Sequence, residues 1–391
     1  MRVLQVGNLY TNTGGPALSM YLTIKGLERC GVEVEAYCPQ PFAGEKPIGL
    51  DVKVSQSTNK RLHLGGYDYI HGAMRDMKSM GDFDIVHAQG GWADIYDKAA
   101  RYARKTGKPY IMTPRGGLYP QALKSSSWKK KLAMNLFIDK DYKKAACTQC
   151  TCIEEYEYYR KLGYKNPVAI IPNSFDTNGV VDVAVPLKEK TVFGYLGRLH
   201  PRKRVERLIY AFAESRELFG QCELKIIGSD VASYEQFLKD EVKRLGLTNV
   251  SFTGFLSGEE KDKAIRSLSC LVLPSDYENF GNVVVEALAR GVPAIITKGA
   301  PWGVLEEYDC GRWINNDQET IATTMSTFAM YSAEKQRNMG LNGQRLVEEN
   351  FSVDVVGKQM KELYDWILGD AEKPSFVYLQ SDWGGNSKTE I

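Results

Sequence analysis

Short apolar runs alternate with amphipathic stretches along nearly the whole chain, and this alternation constrains the fold more than any other feature. RVLQVGN (2–8), TVFGYL (191–196) and CLVL (270–273) are brief and almost continuously apolar. Parallel strands buried on both faces read this way. In the first half the pattern predicts strands near 2–7, 33–38, 84–88, 109–113, 147–152 and 168–171, with helices near 15–29, 92–106, 126–144 and 154–162. The second half predicts strands near 191–196, 223–227, 250–252, 270–274 and 292–296, again with helices between them. PNSFDTNGVVDVAVPLKEK (172–190) carries the Pro, Asn and Gly of a linker. The 391 residues therefore predict two Rossmann-like, doubly wound α/β domains, 1–175 and 185–350, each large enough for its own core. After Asn350 the pattern predicts a last helix over 352–370, then a polar, poorly ordered tail over 372–391 in which Phe376, Tyr378 and Trp383 are able to dock.

Chemistry concentrates in residues 275–293, SDYENFGNVVVEALARGVP. The strand CLVLPS runs into a short loop, and a helix follows from about Gly281. The N–H groups of Phe280, Gly281 and Asn282 lie at the helix start, where unpaired donors and the positive dipole end suit a phosphate. Glu278 precedes the helix, with Asn279 beside it, and can face a ligand next to that phosphate. Glu286 lies eight residues further on and can reach a second part of the same ligand. A carboxylate only accepts hydrogen bonds, so each Glu suits a pair of hydroxyls. A phosphate flanked by two polyols describes a nucleotide sugar. Strand–loop–helix units with stray carboxylates are also common in α/β proteins, and the spacing by itself leaves both readings open.

A second cluster is TVFGYLGRLHPRKRVERL (191–208). Arg198 and Lys203 bracket a turn above a strand end, so both can point at one anion. Arg offers a planar fork and Lys a point charge. The alternative is a solvated basic loop, and Arg202 and Arg204 are expected to face solvent. Near the N-terminus, the loop after RVLQVGN carries Gly14 and Gly15, where a backbone can approach a ligand closely. It lacks the G-x-G-x-x-G dinucleotide spacing.

E-N-F-G-x-x-x-x-E-A-L-A-x-G-x-P resembles the E-x7-E signature of the retaining glycosyltransferases of family 4 (glycosyl transferases group 1). G-R-L-H-P-R-K followed by L-I-Y-A-F is similar to the same family's diphosphate-binding motif, and the motifs fall in family order from Val3 to about Trp366. The resemblance implies the GT-B arrangement, two Rossmann-like domains facing across a cleft, with the last helix crossing back to the first domain. It implies that Arg198 and Lys203 hold the donor diphosphate, that Glu278 serves the sugar and Glu286 the ribose, and that Gly14 and Gly15 lie opposite the diphosphate. Many relatives carry His where PYIMTPRGG places Arg115. An Arg stays protonated and is no base, so a charge-stabilising role towards the sugar or the leaving phosphate is expected of Arg115. His87, ending the strand in DIVHAQGGW, is a candidate contact to acceptor or donor, although a lone His is more often structural. The resemblance also implies retention at the anomeric carbon and no required metal or other cofactor, the donor being a nucleotide-diphosphate sugar.

Composition narrows the partners. A net charge of +2 gives no polyanion signal, so nucleic acid is not expected. No stretch reaches the ~20 apolar residues of a membrane helix, and the N-terminus enters a strand without a signal-peptide pattern. Cys147, Cys150 and Cys152 invite a zinc reading, but no fourth Cys or His lies nearby, and structural zinc takes four ligands. With the other cysteines they are expected to be reduced, buried thiols in a cytoplasm. The D-x-D at Asp139-Lys140-Asp141 lies in a Lys-rich helical segment rather than at a strand end. Residues 124–144, KSSSWKKKLAMNLFIDKDYKK, form a basic amphipathic stretch suited either to an anionic bilayer surface or to plain scaffold with its apolar stripe inward.

The combined expectation is a cytoplasmic retaining glycosyltransferase, peripheral on the inner membrane face if the basic stretch meets a bilayer. It would move a sugar to a hydroxyl acceptor, a carbohydrate or a lipid-linked oligosaccharide of surface polysaccharide synthesis. Two alternatives stand beside it: a nucleotide-sugar 2-epimerase, and a non-catalytic nucleotide-sugar-binding subunit. Four histidines in all argue against the first, and the intact Glu278, Arg198 and Lys203 against the second.

Overall fold

The computed structural model describes all residues except 11–14, 41–47, 49–53, 57–60, 65–66, 125–136, 182, 215–219, 230 and 384–391. The chain divides into two units, Met1–Ser174 with Val353–Ile391, and Phe175–Ser352.

In the first unit the strands are β1 (Arg2–Val6), β2 (Glu33–Cys38), β3 (Val54–Gln56), a hairpin of β4 (Arg61–Leu64) and β5 (Tyr67–Ile70), β6 (Ile85–Ala88), β7 (Tyr110–Met112), β8 (Cys147–Cys150) and β9 (Val168–Ile170). The main sheet runs β9-β8-β7-β6-β1-β2-β3, all parallel. Val3 and Ile85 pack into one core, Leu4 and Val86 into another, because successive side chains leave opposite faces of the sheet. Burial on both faces explains the continuous apolar runs. The hairpin, β3 and the helix Ala73–Ser79 were not among the expected elements; they lie in a polar stretch without a clear period.

The helix Val353–Leu368 belongs to this unit, as expected of a last helix that crosses back. It packs on the helix Gly15–Arg29 where two glycines meet. A Cβ on Gly26 would lie 2.7 Å from the Val353 carbonyl oxygen and 2.8 Å from Gly357 Cα, so only glycine allows this approach. Beyond it, part of the expected polar tail is ordered. Val377–Tyr378 form β16, antiparallel to β9. Val377 is buried, and Tyr378 and Trp383 both pack on Tyr156. The end of the tail, 384–391, lies outside the described residues.

The second unit holds β10 (Val192–Leu196), β11 (Glu223–Ile227), β12 (Val250–Gly254), β13 (Cys270–Leu273), β14 (Ala294–Thr297) and β15 (Gly311–Ile314). Their order is β12-β11-β10-β13-β14-β15, all parallel. Numbered within the unit this is 3-2-1-4-5-6, so the winding reverses between β10 and β13. The first unit reverses likewise between β1 and β6. Open parallel sheets bind ligands outside the strand carboxyl ends at such a reversal.

Candidate active site

In the second unit, the loops leaving β10 and β13 emerge side by side. Tyr195 donates its hydroxyl hydrogen to the Arg198 carbonyl at 2.8 Å and fixes the first loop. A short 3-10 turn, Pro201–Lys203, follows, capped where His200 Nδ1 accepts the Arg202 N–H at 3.2 Å. The turn delivers Lys203 to Glu278, and the two are joined as an ion pair. Ser275 Oγ donates to the same Glu278 oxygen, Oε1, at 2.8 Å. The backbone N–H of Glu278 donates to the Gly299 carbonyl at 2.7 Å. Burial pushes the Lys203 ammonium below its usual range despite the attraction of Glu278. Arg198, earlier in the same loop, is exposed.

Arg202 and Arg204 do not simply face solvent as expected. The Arg202 guanidinium lies 5.6 Å from the Tyr277 ring centre. Arg204 and Arg207 bond Asp276 at 2.5 and 2.9 Å, and Asn316 donates to it at 3.0 Å. Asp276 thus ties the basic loop to the loop of Glu278. The acidic partner lies about seventy residues away in sequence, where no local pattern could reveal it.

The helix after this loop is Asn282–Ala289. Gly281 precedes it in the left-handed conformation, with φ of 82°, and no side chain caps the helix start. Phe280 is buried against Trp302 and Phe351, and its carbonyl accepts the Trp302 indole N–H at 2.7 Å. Asn279 and Asn282 are half-buried in the same loop. Glu286 is paired with Lys261, from the helix Gly258–Arg266. Arg290 reinforces this packing, bonding Asp262 at 2.7 Å and the Glu286 carbonyl at 2.8 Å. Lys261 went unnoticed in the sequence because it stands among ordinary surface charges.

In the first unit a cavity of about 400 Å³ opens at the sheet reversal. Gly7 and Asn8 follow β1, Gln89 and Trp92 follow β6, and Arg115 follows β7 along its wall. A Cβ on Gly90 would lie 2.4 Å from the Tyr96 ring, so a larger residue here would displace that ring. Arg115 has a positive φ of 47°. It donates to Asn173 Oδ1 at 2.8 Å and to Gln89 Oε1 at 2.5 Å. Burial lowers its guanidinium to about 10. Gly15 starts the first helix and is exposed; Gly14 lies outside the described residues.

His87 is enclosed, with no exposed surface, and does not line the cavity. Its Nδ1 meets the Tyr364 hydroxyl at 2.7 Å and its Nε2 the Thr113 hydroxyl at 2.6 Å. The surrounding bonds fix its tautomer. Thr113 donates to Gln149 Oε1 at 2.9 Å and Gln5 donates to the Tyr364 hydroxyl at 2.8 Å, so Nε2 carries the hydrogen and Nδ1 accepts. Gln89 donates to Gln5 Oε1 at 3.0 Å, and Gln149 donates to the Ile171 carbonyl at 3.0 Å. The result is one directional chain: Arg115 to Gln89, Gln5, Tyr364, His87, Thr113, Gln149 and Ile171. Burial, with help from Arg115, lowers the imidazole to about 3, so it is neutral. His87 anchors the cavity wall from within rather than touching its contents.

Asp141 of the D-x-D is also interior. It is buried and bonded to Arg104 at 2.7 Å. Cys147, Cys150 and Cys152 are free, buried thiols, and burial pushes Cys147 up to about 12. Among the described residues no group of three or more His, Cys, Asp or Glu is placed to hold a metal ion. Among them, too, no helix is long and apolar enough to cross a membrane. The basic stretch with Trp128, Lys129, Lys130, Lys131, Leu132 and Leu136 lies outside the described residues.

Two parallel sheets with site residues at both reversals define a protein of the GT-B class. Residues 182–346 match the family model of glycosyl transferases group 1, and residues 14–174 match that of the glycosyl transferase 4-like domain. The chain belongs to the group 1 glycosyltransferase family. It is 28% identical over 188 residues to the capsular polysaccharide biosynthesis glycosyltransferase CapM of Staphylococcus aureus, covering 48% of this chain and 49% of that protein. The chain thus spans about half the length of the curated relatives it matches. Sucrose-phosphate synthase from Thermosynechococcus elongatus shares the fold with a TM-score of 0.74 at 17% identity, over 95% of this chain and 100% of that one. Anabaena Alr3699/HepE, solved with UDP and glucose, has a TM-score of 0.71 at 18% identity, over 93% and 99%.

Proposed function

We propose that this protein transfers a sugar, with retention, from a nucleotide-diphosphate sugar to a hydroxyl acceptor. The observation that carries this reading is the junction of Lys203 with Glu278 at the reversal of the second sheet. Arg198 and Lys203 meet the diphosphate as charge builds on it, joined by the helix-start amides of Phe280, Gly281 and Asn282. Such pre-oriented donors in a partly dry site supply much of the catalytic stabilisation in acyl and phosphoryl chemistry. Glu278 takes hydroxyls of the transferred sugar, with Asn279 beside it, and Glu286 takes the ribose diol. The positive groups replace a divalent metal in this scheme, so no cofactor is required. Gly14 and Gly15 are assigned to the same diphosphate by the family resemblance.

UDP is supported as the nucleotide by the bound ligands of the Anabaena relative, and a surface-polysaccharide acceptor by the part CapM plays in capsular polysaccharide biosynthesis. The lysines of 124–144 would hold the enzyme, otherwise cytoplasmic, at an anionic membrane face near a lipid-linked acceptor. A thermal-shift panel of UDP-, GDP-, ADP- and TDP-sugars, followed by nucleoside diphosphate release with EDTA present, tests the reading. A true donor at 100 times its Kd adds about 2.7 kcal/mol of stability. If no donor shifts the melting temperature and none releases nucleotide with acceptor extract, the reading fails.

A further inference from the structure

We infer that the cavity of the first unit is an anion subsite built around Arg115, and that its occupant is an acidic sugar, a glycosyl acceptor bearing a carboxylate or a phosphate. The anion subsite stands on geometry alone; that its occupant is an acceptor rests on the glycosyltransferase reading.

Three observations converge. First, Arg115 lines a cavity of about 400 Å³, inside the roughly 300–1,000 Å³ range of small-molecule sites. Trp92 and Tyr96 give it aromatic wall, and Gly7, Gly90 and Gly117 give it approachable backbone. Aromatic faces beside a few polar groups suit a pyranose ring. Second, the cation has no direct ion pair among the described residues. Both hydrogen-bond partners of Arg115 are neutral amides, Asn173 and Gln89. Its Nε is buried without an acceptor. The nearest carboxylate that influences it, Glu155, is already engaged by the Gly116 N–H at 2.5 Å, the Thr151 N–H at 2.8 Å and the Thr151 hydroxyl at 3.1 Å. Among the described residues none forms an ion pair with Arg115. A buried charge is normally paired, and an unpaired one is costly. Third, the position is held under strain. Arg115 has φ of 47°, a region unfavourable for a long side chain, and such outliers cluster where a ligand is clamped. Burial depresses the guanidinium; an anion would restore it.

The donor's own diphosphate is the other source of the same chemistry, and the experiment separates the two. The full chain is titrated with glucuronate, glucose and inorganic phosphate by ligand-observed NMR, and with UDP and GDP by calorimetry. Arg115→Gln and Arg115→Lys are measured in parallel, each after a thermal melt has confirmed folding. The expected result is that glucuronate binds at least tenfold more tightly than glucose, with or without saturating nucleoside diphosphate. Arg115→Gln then loses glucuronate at least tenfold and Arg115→Lys recovers part of it, while both keep nucleotide affinity within threefold. Displacement of glucuronate by UDP, with nucleotide affinity lost in Arg115→Gln, would assign the anion to the donor and overturn the acidic acceptor. Absence of glucuronate and phosphate binding to the unaltered protein would overturn the subsite itself. Nucleotide binding read in the same titrations reports separately on the second unit, so failure there does not mimic failure here.

Discussion

Lys203 and Glu278, seventy-five residues apart in sequence, hold one another at the carboxyl end of the second sheet. Their side chains are 12% and 11% exposed, so each is the main counter-charge of the other. Removing one leaves a partly buried charge alone, which costs on the order of 3 kcal/mol. Lys203→Met should therefore lower both stability and turnover. Arg198 is exposed, and Arg198→Ala should lower turnover about 10²–10³-fold while unfolding within about 0.5 kcal/mol of wild type. Denaturant curves and steady-state rates on the two variants check the contrast. Full turnover in both would remove the diphosphate role.

The two carboxylates of the E-x7-E motif should separate by ligand. Glu286, paired with Lys261, is assigned to the ribose, and a hydrogen bond to a charged group is worth about 1.5–3 kcal/mol. Calorimetric titration of UDP should show Glu286→Gln weakened roughly tenfold or more. Glu278→Gln should bind UDP nearly normally and fail in sugar transfer. The opposite order would exchange or abolish the roles.

His87 should give the protein a pH-dependent stability. Burial keeps its ring neutral in the folded state, down to about 3, whereas an unfolded chain protonates it near 6.5. The folded state is therefore favoured above about 6.5, and this contribution is lost as the pH falls from there towards 3. One proton corresponds to about 1.4 kcal/mol per pH unit. Between pH 6.5 and 5, urea denaturation should show wild type losing about 2 kcal/mol more than His87→Gln. Parallel losses would mean that the imidazole is not held neutral.

Gly281 tests the helix start apart from any ligand. Its φ of 82° is left-handed, while the atoms nearest to an added Cβ would be 3.6 Å away, so space is not the obstacle. Gly281→Ala should lose about 1–2 kcal/mol from backbone strain. Gly281→Asn, which tolerates this conformation better, should lose less. Equal losses in thermal melts would point to sterics instead.

The strands that carry the site were legible because both faces are buried, which makes apolar runs such as VFGYL and CLVL unmistakable. Glu278, Lys203 and Arg198 were legible because their motifs are local in sequence. Lys261 and Asp276 were not, since their importance comes only from partners brought near by the fold. The β15 strand, GRWI, was missed because it mixes charge with apolar residues, its side chains being only partly buried after Gly311. In β16, two residues borrow their conformation from β9 and have no pattern of their own. His87 misled because a histidine at a strand end looks the same whether the ring meets a ligand or, as here, a tyrosine from the last helix.

That tyrosine sets an order of assembly. Gln5 and His87, from β1 and β6, both bond the hydroxyl of Tyr364, and Gly26 waits for Gly357. A ribosome completes the whole of Phe175–Ser352 before it reaches either partner. The unit that begins first is therefore the last to close. Until residue 364 leaves the exit tunnel, the nascent first unit has two interior polar groups with no hydroxyl between them and an open seat on its first helix. The first unit therefore gains its last interior bonds only after the sequence of the second unit has been made.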